Sequence, residues 1–138
     1  MKGCYCLIIN LEKNESIQIG KLGMIDFKKG YYVYIGSAMN SLESRLNRHF
    51  RDEKKLHWHV DYLLTNPNCK LEDAIYNVSS KKVECDLSKQ LSNSKCIEGF
   101  GCSDCDCKSH LYYFKSRKEA IEQVTNAYDS IAMEYEFF

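Results

Sequence analysis

The sequence contains a single proline, Pro67, and no excess of either charge: 19 lysines and arginines stand against 19 aspartates and glutamates. So little proline argues against long extended linkers. The charge balance argues against a free-standing protein that holds nucleic acid by bulk affinity, because such proteins are clearly basic. Any polyanion must be met by a local patch or with help from a partner. No run is long and apolar enough for a secretory leader or a membrane span, and CYCLIIN (4–10) is only of strand length. The expected setting is cytoplasmic, with no membrane. A P-loop and a dinucleotide fingerprint are both missing, as is the zinc-deaminase pairing of H-x-E with a later P-C-x-x-C. There is no internal repeat and no low-complexity tract.

What is present suits one domain over residues 1–138. A chain of this length can bury a core without disulfides. Its eight cysteines, in a reducing compartment, then suggest metal binding or packing. Period-two patterning predicts strands at 4–10, 16–20 and 31–36, with MIDF another short strand, and the close spacing favours antiparallel hairpins. Further strands are expected at 71–78 and 110–114. Helices are expected in NSLESRLNRHF, with Asn40 or Ser41 as cap and Leu42, Leu46 and Phe50 as the buried stripe, and in LHWHVDYLLTN. Two more are expected in KKVECDLSKQLSN and from Ser116 to the end of the chain. This order predicts an α+β fold: a central, mainly antiparallel sheet flanked by helices, with a hairpin inserted at 16–27.

The segment GYYVYIGSAMNSLESRLNRHF (30–50) carries the densest chemistry. Alternation puts Tyr32, Tyr34 and Gly36 on one side of a strand, and Tyr5 on the neighbouring strand can project to that side. Gly36 leaves room for a group to approach the strand end. Arg45 offers a planar cation suited to phosphate, and His49 lies one helical turn on. The stretch from Arg45 to Lys55, with Arg48 and Arg51, is the best local phosphate-binding surface; a solvated helix face is the alternative for Lys54 and Lys55.

Two other clusters matter. In HWH (57–59) the two histidines point apart on a helix. Capping, packing around Trp58 and phosphate contact are the competing roles. His57 and His59 are kept as candidate substrate contacts, and Asp61 could orient one of them. In CSDCDCKSH, Cys102, Cys105, Cys107 and His110 could bind Zn²⁺ as an S₃N set, the alternative being a loop of reduced, partly buried thiols. GKLG (20–23) matches the GXXG of an RNA-binding loop, but flanking strands make it a hairpin turn.

GCY (3–5), YIG (34–36) and the arginine and histidine of the next helix resemble the GIY-YIG nuclease superfamily. Over nearly its whole length the chain resembles a small archaeal, functionally uncharacterised branch, the DUF123-like proteins, sometimes attached to a DNA-repair glycosylase. The narrower resemblance rests on GCYCLII, YVYIGSA with SLESRLNRHF, HWHVDYLL, VECDLSKQL and GFGCSDCDCKSHLYYF. It departs from the superfamily in Gly-Cys-Tyr for Gly-Ile-Tyr and in the inserted hairpin. The resemblance implies catalytic roles for Tyr5, Tyr34, Arg45 and His49, and a single metal-binding glutamate at Glu84. It implies hydrolysis of phosphodiesters with Mg²⁺ or Mn²⁺, one tyrosine helping to deprotonate water and Arg45 stabilising the phosphate. The expected partners are nucleic acid and a DNA-repair protein. Two other functions remain open: a non-catalytic nucleic-acid-binding or protein-interaction module that keeps the nuclease fold, and a structural zinc domain serving a partner protein.

Overall fold

The structure is a computed structural model and describes residues 1–102 and 105–138. Its strands are β1 (Gly3–Leu11), β2 (Glu15–Gln18), β3 (Met24–Phe27), β4 (Gly30–Ala38), β5 (Cys69–Val78), β6 (Lys95–Cys96), β7 (Leu111–Phe114) and β8 (Glu136–Phe137). Its helices are α1 (Leu42–Phe50), α2 (His59–Leu64), α3 (Glu84–Gln90) and α4 (Arg117–Ser130). Six strands form one sheet in the order β6-β7-β4-β1-β5-β8, and β2 and β3 form the separate inserted hairpin. Every pairing in the large sheet is antiparallel. The expected α+β class and the expected hairpin are thus both present.

The alternation in β1 divides the interior into two cores. Tyr5, Leu7 and Ile9 join Tyr32 and Tyr34 of β4, Leu42 and Leu46 of α1, Val60 and Leu63 of α2, and Phe27 of the hairpin. On the other side Cys4, Cys6 and Ile8 join Val33 and Ile35, Leu87 of α3, and Val124 and Tyr128 of α4. β1 is buried on both faces, which explains its continuous apolar run.

Local expectations needed correction at several points. Phe50 is 37% exposed and His49 only 2%, so the buried stripe of α1 is Leu42, Leu46 and His49. Phe50 instead stacks on Phe138, with ring centres 5.9 Å apart. Ser41 precedes α1 in a left-handed conformation and makes no side-chain cap bond; the Leu42 amide donates to the Met1 carbonyl instead, at 3.0 Å. The second helix is shorter than its pattern suggested. Trp58 is extended, and its amide donates to Asp61 at 2.9 Å. Ser116 does cap α4, accepting from the Glu119 amide. That helix stops at Ser130, however. Ala132 takes a positive φ of 57° and the Met133 amide returns to the Tyr128 carbonyl, a Schellman-type closure with alanine in the glycine position. The freed tail supplies β8, and β6 is likewise a short edge strand that carried no sequence signal.

Candidate functional site

Register builds the site. β1 and β4 pair so that Tyr5 lies opposite Gly36 and Leu7 opposite Tyr34. A Cβ at Gly36 would sit 2.6 Å from both Cζ and the hydroxyl of Tyr5. The room left by this glycine is therefore filled by the Tyr5 ring, and not by an incoming group. Tyr5, Tyr34, Arg45 and Glu84 all line one cleft of about 390 Å³, together with Trp58, Lys82 and His110. They arrive from β1, β4, α1 and the first turn of α3.

His49 stands elsewhere than expected. It does not form a wall of the cleft; it lies behind Tyr5, with Nε2 2.8 Å from the phenol oxygen. Burial holds its imidazole down at about 3, so it is neutral in ordinary buffers. Arg45 donates from Nη1 to the Ser37 carbonyl at 3.0 Å. Its guanidinium carbon lies 4.4 Å from the centre of the Trp58 ring, and that of Arg48 lies 4.5 Å from the same ring. Trp58 thus carries two stacked cations.

One comparison with known proteins bears on this arrangement: the family model described as "Domain of unknown function DUF123" matches residues 4–133. The chain belongs to the DUF123 family. No curated protein and no solved structure matches it.

In this DUF123 chain both motif phenols stay protonated. Burial pushes Tyr5 up to about 12, against the opposing pull of Arg45. Burial, then the neighbouring Tyr5, pushes Tyr34 well above the ordinary phenol range. These groups can hold an anion or a water through neutral hydrogen bonds, but they are poor bases. Glu84 keeps a side-chain exposure of 16%, with Lys82 Nζ 3.2 Å from one carboxylate oxygen and His110 Nδ1 4.0 Å from the other.

The remaining candidates separate from the cleft. Arg48 is engaged with the buried Asp61, both of whose carboxylate oxygens accept from it at 3.0 Å. Burial raises Asp61, but Arg48 and the amides of Trp58 and His57 outweigh this and hold the carboxyl below its usual range. Asp61 orients neither histidine ring; it receives their segment's backbone instead. Arg51 is exposed at the end of α1, outside the cleft lining. His57 packs edge-on against Trp58, and His59 Nδ1 accepts from the Gly101 amide at 2.9 Å. Both histidines line a different groove, beside the turn of the inserted hairpin.

The thiol cluster also needs one substitution. The ligand atoms that converge, all within 4.8 Å of one another, belong to Cys85, Cys105, Cys107 and His110. Cys102 is not among them, and its Sγ lies 3.4 Å from the Phe100 carbonyl. Cys85 was missed because it sits on a helix, remote in sequence from the cysteine-rich loop. Trp58 was seen only as packing; its position as the single tryptophan between two histidines was the available signal. Among the described residues, no helix is long and apolar enough to cross a membrane.

Proposed function

We propose that this protein is a divalent-metal-dependent nuclease that hydrolyses phosphodiester bonds in nucleic acid. One observation carries the proposal: Tyr5, Tyr34, Arg45 and Glu84, far apart in sequence, line the same cleft in the chain order that the GIY-YIG resemblance implies. Arg45 would bind the phosphate, held to its task by Ser37 and Trp58. Tyr5 and Tyr34 would orient the attacking water as neutral hydrogen-bond partners, with His49 fixing the Tyr5 hydroxyl from behind. This departs from the expectation that a tyrosine removes the water's proton, because burial favours the phenol form in both.

The donor set suits a hard divalent ion. Mg²⁺ retains several waters and is held by one or two carboxylates plus substrate phosphate oxygens, and Glu84 supplies one such carboxylate. The Lys82 ammonium lies 3.2 Å from that carboxylate, and its exposed side chain would swing aside for an ion to bind. Glu84 would hold Mg²⁺ or Mn²⁺, and the ion when bound supplies charge stabilisation to the leaving oxygen. Zn²⁺ belongs instead with the thiols. A reducing, cytoplasmic setting fits the eight free cysteines, and a DNA-repair protein is the partner that the resemblance suggests.

The second reading is a nucleic-acid-binding module that keeps the fold without catalysis. The Lys82–Glu84 ion pair favours it, since a lysine can replace the metal permanently. A cleavage assay with Mg²⁺ or Mn²⁺ on a panel of nucleic-acid structures separates the two, comparing wild type, Arg45→Ala and Glu84→Ala. The nuclease gives metal-dependent cleavage that both substitutions lower strongly. Equal background in all three proteins sinks it, and retained binding would then favour the module.

A further inference from the structure

The thiol–imidazole cluster lies beside the proposed phosphate cleft and has no part in that chemistry. Its Cys105 Sγ and His110 Nε2 lie 3.5 Å apart. A tetrahedral zinc with bonds of about 2.3 Å to sulfur and about 2.0–2.1 Å to nitrogen needs a sulfur-to-nitrogen edge of about 3.6 Å and sulfur-to-sulfur edges of about 3.8 Å. One edge is already at the required length, and all four ligand atoms fall within 4.8 Å.

His110 is oriented for this role. Its Nε2 is the ring nitrogen that faces the sulfur of Cys105, while Nδ1 lies on the side of the Glu84 carboxylate, 4.0 Å away. The backbone also holds the residue: the His110 amide donates to the Phe100 carbonyl and its carbonyl accepts from Ile35, both at 2.9 Å. Solvent reaches the cluster from two sides. Cys85 and Cys105 line both the phosphate cleft and a second cavity of about 510 Å³ bordered by Cys107 and Tyr112, so an ion has an entry path.

We propose that Cys85, Cys105, Cys107 and His110 form a four-ligand structural zinc site that clamps the first turn of α3 to the loop entering β7. The donors suit zinc: three soft thiolates and one imidazole close the coordination shell, as structural sites do. Cys85 is adjacent in sequence to Glu84, so the clamp also fixes the α3 terminus that carries the cleft carboxylate. Only this last consequence rests on the nuclease reading; the zinc site stands or falls without it.

The test uses the full chain, purified under reductant, with no nucleic acid or Mg²⁺ present. Wild type should contain about one zinc per chain after anaerobic reconstitution. Replacement by Co²⁺ should give tetrahedral d–d bands and thiolate-to-metal charge transfer of three-sulfur intensity. Zinc removal should lower the melting temperature, because binding to the folded state adds directly to its stability. Cys85→Ser and Cys107→Ser should weaken the Co²⁺ spectrum and lose its three-sulfur intensity, while Cys102→Ser leaves both unchanged. The wild-type spectrum keeps the test decisive should the serine variants fail to fold. A reconstituted protein well below one equivalent, cobalt bound without thiolate charge transfer, or thiol counts revealing a Cys85–Cys107 disulfide would overturn the site. Loss with Cys102→Ser but not Cys85→Ser would equally overturn this ligand set.

Discussion

The phenol of Tyr5 and the imidazole of His49 meet at 2.8 Å inside the protein, and both are neutral. His49 Nδ1 is buried without a hydrogen-bond partner. Asp61 favours a charged His49, while Lys54, Arg48 and Arg45 oppose it; burial decides, and the folded-state value falls from 6.5 to about 3. Unfolded chains therefore take up a proton near pH 6.5 that the folded protein refuses. Stability is fully present above that pH and drains away as the pH falls toward about 3. The expected slope is at most about 1.4 kcal/mol per pH unit from this group. His59 is also lowered by burial, so it steepens the same decline. Denaturant midpoints measured from neutral pH downward should show it, and His49→Gln should flatten the curve. A profile identical to wild type would remove His49 as a cause.

Gly36 is needed because of Tyr5. A methyl group there would meet the tyrosine ring at 2.6 Å, at a buried position of β4 that borders the cleft. Gly36→Ala should cost about 1–3 kcal/mol, the usual range for overpacking. Tyr5→Ala on the same chain removes the clash, so the double variant should cost less than the sum of the two singles. Strict additivity in denaturation experiments would show that the methyl group is accommodated some other way.

The Asp61–Arg48 pair anchors the approach to α2. Asp61 has no exposed surface, and its carboxylate takes two bonds from Arg48 and one each from the His57 and Trp58 amides. Asp61→Ala strands a guanidinium and two amide donors at once, and should cost about 3–5 kcal/mol. Asp61→Asn keeps one acceptor and should cost less. Equal losses for the two, measured by urea unfolding, would mean that the carboxylate charge facing Arg48, and not the number of acceptors, is what matters.

The sheet and the cleft were legible for different reasons. Strict alternation in β1 and β4 announced which tyrosines share a face, and the structure groups Tyr5, Tyr32 and Tyr34 in one core. Glu84 came from the family resemblance, as an acid at the start of a helix followed by leucines. The edge strands β6 and β8 were not legible, since each is only two residues long and owes its conformation to a neighbour. The burial of His49 was not legible, because an imidazole on a helix margin can face core or solvent until its partner phenol is known. One member of the thiol–imidazole cluster was hidden for a related reason: Cys85 is brought to Cys107 by the packing of α3, not by spacing.

Arg45 gives the sharpest functional prediction. Its guanidinium makes three kinds of contact at once: a hydrogen bond to Ser37, stacking on Trp58 and a lining position in the cleft. On the proposed nuclease reading, Arg45→Ala should reduce cleavage by roughly 10²–10³-fold through kcat, the scale for losing one preorganised charge-stabilising donor. The change should cost only about 1–2 kcal/mol of folding stability, the worth of the lost hydrogen bond and stacking at a half-buried site. Arg45→Lys should recover little, because an ammonium can neither stack flat on Trp58 nor serve Ser37 and a phosphate together. Trp58→Leu should raise KM more than it lowers kcat, as it loosens the cation without removing it. If Arg45→Lys instead restores wild-type kcat, the residue contributes charge alone, and the positioning by Ser37 and Trp58 is incidental.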